Sequence, residues 1–240
     1  MIPPLIDNRN LPLVLLGGTL CNARLWQPVI ARLNVSSVTS LMVCGADSAR
    51  EFSAQALEAL PPRFCLAGFS LGAIAALQIL ADAPERIAGL ALLSVNPFSD
   101  LPANAAVRRS AVDKAAAQGI GHWLTETLWP KYVAPQNQDN SQLHATIAQM
   151  AEECGMAVFT RQTEIAICRD DHRQALAAFA APTLILNGQH DVICTPRHHQ
   201  ATAALNSRWL THPSSGHFLP LEAPFWVADA LRTWIKEILS

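Results

Sequence analysis

Along this chain, short apolar runs alternate with stretches of helical spacing. Leu13 to Leu16, Val38 to Val43, Phe64 to Ala67 and Leu90 to Ser94 are short and bounded by Gly, Pro or Asn, which predicts buried strands. Strands apolar on both faces belong to a parallel sheet covered on both sides. Between them, Trp26 to Leu33, Ala49 to Leu60 and Leu71 to Ala81 carry helical periodicity. That alternation predicts a doubly wound α/β fold with a mostly parallel sheet.

From Phe98 to Ala180 the pattern changes. Ala103 to Gln118, His122 to Trp129, Ser141 to Glu153 and Met156 to Cys168 have helical spacing, broken at Gly119, Pro130, Pro135 and Gly155. Strand signals return at Thr183 to Leu186 and Arg208 to Thr211. Pro224 then opens a last amphipathic helix, with Phe225, Val227, Ala228, Leu231, Trp234, Ile235 and Ile238 on or near one face. The expected organisation is an α/β core from residues 1–97 and 181–240, with residues 98–180 inserted as a helical cap.

Composition narrows the function classes. The 240 residues carry 17 Lys+Arg and 19 Asp+Glu, a formal net charge of −2, and half are hydrophobic. Few charges and no basic run argue against nucleic acid as partner, and the apolar fraction excludes disorder. No apolar stretch approaches the length of a membrane span, and the N-terminal residues lack the basic and apolar regions of a secretory signal. The six cysteines are scattered without a C-x-x-C pair, which fits a reduced, cytoplasmic protein. Neither H-E-x-x-H nor a phosphate-binding glycine loop occurs, so neither a metal nor a cofactor is expected.

The sharpest chemical signal is Gly68-Phe69-Ser70-Leu71-Gly72, between a predicted strand and a predicted helix. A serine presented on so tight a turn needs small flanking residues, and the motif provides them. A serine nucleophile needs a base, and the base an orienting carboxylate. Of eight histidines, His217 lies in Ser214-Ser215-Gly216-His217-Phe218, a small-residue loop after the last strand, and is the expected base. His212 reads as structural, and His122, His144 and His172 as cap or surface residues. Asn187-Gly188-Gln189-His190-Asp191 follows a strand and ends in the expected acid, Asp191; Asp170 and Asp171 read as solvated charges. The backbone N–H groups of Leu71 and of Thr19, in Leu16-Gly17-Gly18-Thr19, are the expected donors to an oxyanion.

With these motifs in hand, the chain resembles the α/β-hydrolase superfamily. It is closest to its small capped serine esterases, the group of the pimeloyl-carrier-protein methyl ester esterases and the menaquinone-pathway synthases. The likeness rests on Leu11 to Trp26, G-F-S-L-G-A at Gly68, N-G-Q-H-D at Asn187 and S-G-H-F-L-P-L-E-A-P at Ser215. It implies Ser70 as nucleophile, His217 as base, Asp191 as acid, and Thr19 with Leu71 as oxyanion donors. Three departures stand out. Gly17-Gly18 replaces the family's His-Gly, so a loop-bracing histidine is missing. The stretch from Val43 to Phe64 is shortened. Ile74 stands where the menaquinone-pathway synthases carry an arginine.

The expected activity is hydrolysis of a small carboxylic ester or thioester, with a carbon–carbon hydrolase or lyase of a small acid, or a cofactor-free perhydrolase, as alternatives on the same three residues. The expected partner is a small ester; a carrier protein has no support in the residues themselves. A non-catalytic scaffold would have no need of Ser70, Asp191 and His217 together. Arg108, Arg109, Arg161 and Arg169 are open between meeting a substrate carboxylate or a carrier protein and forming a solvated face, of which the solvated face is the expected reading. Trp123, Trp129, Tyr132, Met156 and Phe159 are open between lining an acyl pocket and packing within the cap.

Overall fold

A computed structural model describes residues 3–203 and 207–240. The first two residues of the segment inspected for a secretory signal lie outside it. Six strands, β1 (Leu13–Leu16), β2 (Val38–Leu41), β3 (Phe64–Phe69), β4 (Ile87–Leu93), β5 (Thr183–Gly188) and β6 (Ser207–His212), form one sheet in the order β2-β1-β3-β4-β5-β6. Every pairing is parallel. Helices α1 (Gln27–Leu33), α2 (Ala49–Ala59) and α3 (Leu71–Asp82) connect the first four strands. Between β4 and β5 run only helices: α4 (Asn104–Gln118), α5 (Ile120–Thr127), α6 (Trp129–Tyr132), α7 (Ser141–Ile167) and α8 (Arg173–Ala178). After β5 come α9 (Pro196–Thr202), α10 (Leu219–Glu222) and α11 (Pro224–Leu239).

The two-residue period of each central strand splits the core. Leu13, Leu15, Cys65, Ala67, Phe69 and Leu93 face α1 and α11, whereas Val14, Leu16, Phe64, Leu66, Leu90 and Leu92 face α2 and α3. Both faces are therefore dry, as the runs of apolar residues require. Edge position explains the exceptions. β2 is half-exposed and stops at Leu41, and β6 alternates between partly buried and exposed residues, because each has a partner on one side only.

One expectation needs correction: Phe225, expected on the packed face of α11, is 63% exposed, and the Arg32 guanidinium lies 5.2 Å from its ring centre. The break expected at Gly155 is present, because this residue, at φ 71° and ψ 175°, kinks α7 into two helical segments. Among the described residues no helix is long and apolar enough to cross a membrane.

Candidate active site

Every strand from β3 to β6, and β1 beside them, delivers a site residue from its carboxyl end, where parallel α/β sheets collect their chemistry. Ser70 follows β3 directly and sits at φ 52°, ψ −113°, a strained conformation for a residue with a Cβ. The turn closes because its flanks are glycines. A Cβ on Gly68 would stand 2.3 Å from the Gly72 carbonyl oxygen. The Ser70 N–H donates to the Leu93 carbonyl at 2.9 Å, which pins the turn to β4.

The three residues singled out by their loops meet in space. His217 Nε2 lies 2.9 Å from Ser70 Oγ, and His217 Nδ1 lies 2.9 Å from Asp191 Oδ2. Asp191 is buried, and its other oxygen accepts from the Ile193 N–H at 2.9 Å and the Cys194 N–H at 2.8 Å. Burial works to raise its pKa, but the His217 charge and these hydrogen bonds outweigh it and hold the carboxyl below the usual range. In the neutral imidazole, Nδ1–H donates to that carboxylate, which leaves Nε2 to accept from the serine hydroxyl. His217 is held on all sides: its carbonyl accepts from Ser94 Oγ at 2.9 Å, and Tyr132 stacks on its ring at 6.0 Å.

Ser70, Thr19 and Leu71 line one cavity of about 340 Å³. The Thr19 and Leu71 N–H groups have no hydrogen-bond partner among the described residues. The loop that carries Thr19 is braced from α7. Buried Gln162 accepts from the Leu20 N–H at 2.8 Å and donates to the Val43 carbonyl at 2.8 Å. This amide occupies the bracing role left open by Gly17-Gly18; its partners lie more than a hundred residues away, so no local pattern signals it.

Glu222 is a second residue that the sequence reading passed over, although it stands in the quoted S-G-H-F-L-P-L-E-A-P motif. Its carboxylate accepts from the Gly216 N–H, the Ala134 N–H and Asn137 Nδ2, each at 2.8 Å. Burial pushes its pKa up against those three bonds. One side chain thus ties the His217 loop to the segment after α6.

The other sequence candidates sort cleanly. His212 bonds Ser215 Oγ at 2.7 Å, His144 meets Thr125 Oγ1 at 3.0 Å, and His172 meets Gln78 Oε1 at 2.9 Å. Asp170 and Asp171 are paired at the surface with Arg50 and Arg173. Trp123, Tyr132 and Phe159 line the cavity, while Trp129 packs edge-on against His144. Arg109 and Arg161 are exposed and ion-paired. Arg169, expected on a solvated face, is instead buried, because Asp100 and the carbonyls of Phe98 and Ala166 take its donors.

His199 is fully buried, and neither ring nitrogen has a partner among the described residues. Burial pushes its pKa down to about 4, against the pull of the Asp191 charge. The unfolded chain therefore takes up this proton from about pH 6.5, and the folded protein only near pH 4. Native stability should be intact above that window and fall as pH drops through it, by about 3 kcal/mol from this group. Urea midpoints at pH 7 and pH 4.5 should converge in His199→Leu relative to the wild type. An unchanged pH slope in the variant would exclude His199 as its source.

A parallel sheet that presents a strained serine turn between strand and helix, with histidine and aspartate delivered from later strands, defines the α/β-hydrolase fold. The alpha/beta hydrolase family matches residues 13–230, and the chain belongs to it. It is 29% identical to the pimeloyl-[acyl-carrier protein] methyl ester esterase of Pectobacterium carotovorum over 90% of this chain and 89% of that protein. Among solved structures, it resembles a thermophilic esterase from Thermogutta terrifontis, with TM-score 0.85 and 22% identity over 96% of this chain and 91% of the other. MenH from S. aureus is similar at TM-score 0.81 and 20% identity, over 96% and 95% of the two chains.

Proposed function

We propose that this hydrolase cleaves a small carboxylic ester or thioester through Ser70, His217 and Asp191. The observation that carries the reading is the pair of 2.9 Å contacts linking Ser70 Oγ through His217 to Asp191 at a largely apolar cavity. Ser70 Oγ attacks the ester carbonyl as its proton passes to His217 Nε2, and Asp191 stabilises the imidazolium. The carbonyl oxygen becomes an oxyanion facing the Thr19 and Leu71 N–H groups. Collapse breaks the bond to the leaving alcohol or thiol, which takes the proton from His217 and leaves an acyl-serine. Water then repeats the sequence, with His217 as base, and releases the acid.

Helices α4 to α7 act as a cap that shields these steps from bulk water and shapes the acyl site. The esterase relative at 29% identity supports the ester class. Turnover of p-nitrophenyl butyrate tests the proposal. Ser70→Ala should lower kcat by about 10⁴ or more while the protein stays folded. Equal activity in the variant would exclude the serine mechanism.

A further inference from the structure

Cys194 carries a thiol that the proposed mechanism does not use. Its backbone N–H serves Asp191 at 2.8 Å, whereas its sulfur makes no hydrogen bond among the described residues. The side chain is nonetheless buried in the cavity wall, as is that of His217. The Asp191 carboxylate, the Cys194 sulfur and a His217 ring nitrogen all lie within 4.8 Å of one another. They come from the loops after β5 and β6, so no run of consecutive residues signals the grouping.

Carboxylate, thiol and imidazole are a donor set for a borderline-soft divalent cation such as Zn²⁺, and a poor one for Mg²⁺ or Ca²⁺, which prefer oxygen alone. A tetrahedral zinc ion, with bonds of about 2.0–2.3 Å, sets its ligands roughly 3.5 Å apart. His217 Nδ1 and Asp191 Oδ2 stand 2.9 Å apart and the sulfur lies within 4.8 Å of both residues' donor atoms. Side-chain shifts of about 1 Å therefore bring all three into range. Burial and the Asp191 charge push the Cys194 thiol well up, which leaves it neutral and a poor nucleophile at rest. A coordinating cation removes that proton outright. Carboxylate and thiolate then match the two positive charges, and a formally neutral site tolerates burial. Arg169, whose charge also reaches Cys194, is ion-paired with Asp100, as is Arg108.

The geometry points to an inhibitory site for zinc and similar thiophilic divalent cations, formed by Asp191, Cys194 and His217 and entered through the substrate cavity. The ion takes the place of the proton between His217 Nδ1 and Asp191 Oδ2. That proton is lost from Nδ1 while Nε2 gains one, the thiol proton leaves to solvent, and no electron is transferred. Nε2–H then donates toward Ser70 Oγ and can no longer take the serine proton, so hydrolysis stops. Binding is independent of the ester-hydrolase reading; inhibition rests on it.

The test has a kinetic and a spectroscopic arm. In hydrolysis of p-nitrophenyl butyrate, Zn²⁺ should inhibit the wild type, EDTA should restore the rate, and Mg²⁺ at the same concentration should have no effect. Each variant is compared with its own metal-free rate. Half-inhibition of Cys194→Ser and Cys194→Ala should need about tenfold more Zn²⁺ or beyond. Cys44→Ser and Cys168→Ser, changed at the two less buried thiols, should keep the wild-type value. In Ser70→Ala, stoichiometric Co²⁺ should develop a sulfur-to-metal charge-transfer band that disappears when Cys194→Ser is added. Zinc inhibition that is absent, or equal in the wild type and both Cys194 variants, overturns the site, and so does a cobalt band indifferent to Cys194; ester turnover in the same assays keeps the hydrolase reading. A Cys194-dependent cobalt band in a protein that turns over no ester sustains the metal site and sinks the hydrolase.

Discussion

Asp191→Asn should lower kcat by about 10⁴ while leaving the fold and KM nearly unchanged. The N–H groups of Ile193 and Cys194 both donate to Asp191 Oδ1. In the variant they hold the amide oxygen in the same place, so the amide –NH₂ must face His217 Nδ1. A donor there favours the tautomer with its proton on Nε2. That tautomer donates toward Ser70 Oγ and can no longer accept its proton. Steady-state kinetics with p-nitrophenyl butyrate read the loss directly. A decline of less than tenfold would mean that Asp191 neither orients nor charges the histidine.

Gly72→Ala should destabilise the protein by more than about 4 kcal/mol, lowering Tm by roughly 10 °C, although it adds a single methyl group. The new Cβ would stand 2.4 Å from the Leu16 carbonyl oxygen and 2.6 Å from that of Gly17. Leu16 lies in β1, paired on one side with β2 and on the other with β3, so its backbone has no room to retreat. Instead α3 must lift off the sheet and carry Ser70 and Leu71 with it, so activity falls as well. Gly119→Ala is the control: its φ of +85° strains an alanine, but nothing lies within 4 Å of the added Cβ. It should lose only about 1 kcal/mol. Calorimetric melting of the two variants checks both values.

Features written in consecutive residues are legible in the sequence. β1 spans the four residues its apolar run predicted, and the serine turn falls where glycine spacing placed it. The loops carrying Asp191 and His217 are legible because each follows a strand, the first ending in a carboxylate and the second built of small residues. What escaped the sequence depends on pairs far apart in the chain. Gln162 meets Leu20, Glu222 meets Ala134, and Arg169 meets Phe98, each across at least 71 residues. Arg169 is the instructive error. Its charge argues for solvent, and its burial becomes tolerable once the distant Asp100 and Phe98 carbonyl join the nearby Ala166 carbonyl as acceptors. The half-exposure of β2 was hidden similarly, because edge position is a property of strand order, not of composition.

If Ser70 is the nucleophile made reactive by His217 and Asp191, a fluorophosphonate probe should label it, as read by intact mass and peptide mapping. The expected result is a single adduct on the peptide carrying Ser70, absent from Ser70→Ala and strongly slowed in His217→Ala. An adduct on another residue, or well-folded protein that cleaves esters yet stays unlabelled, would rule Ser70 out as the nucleophile.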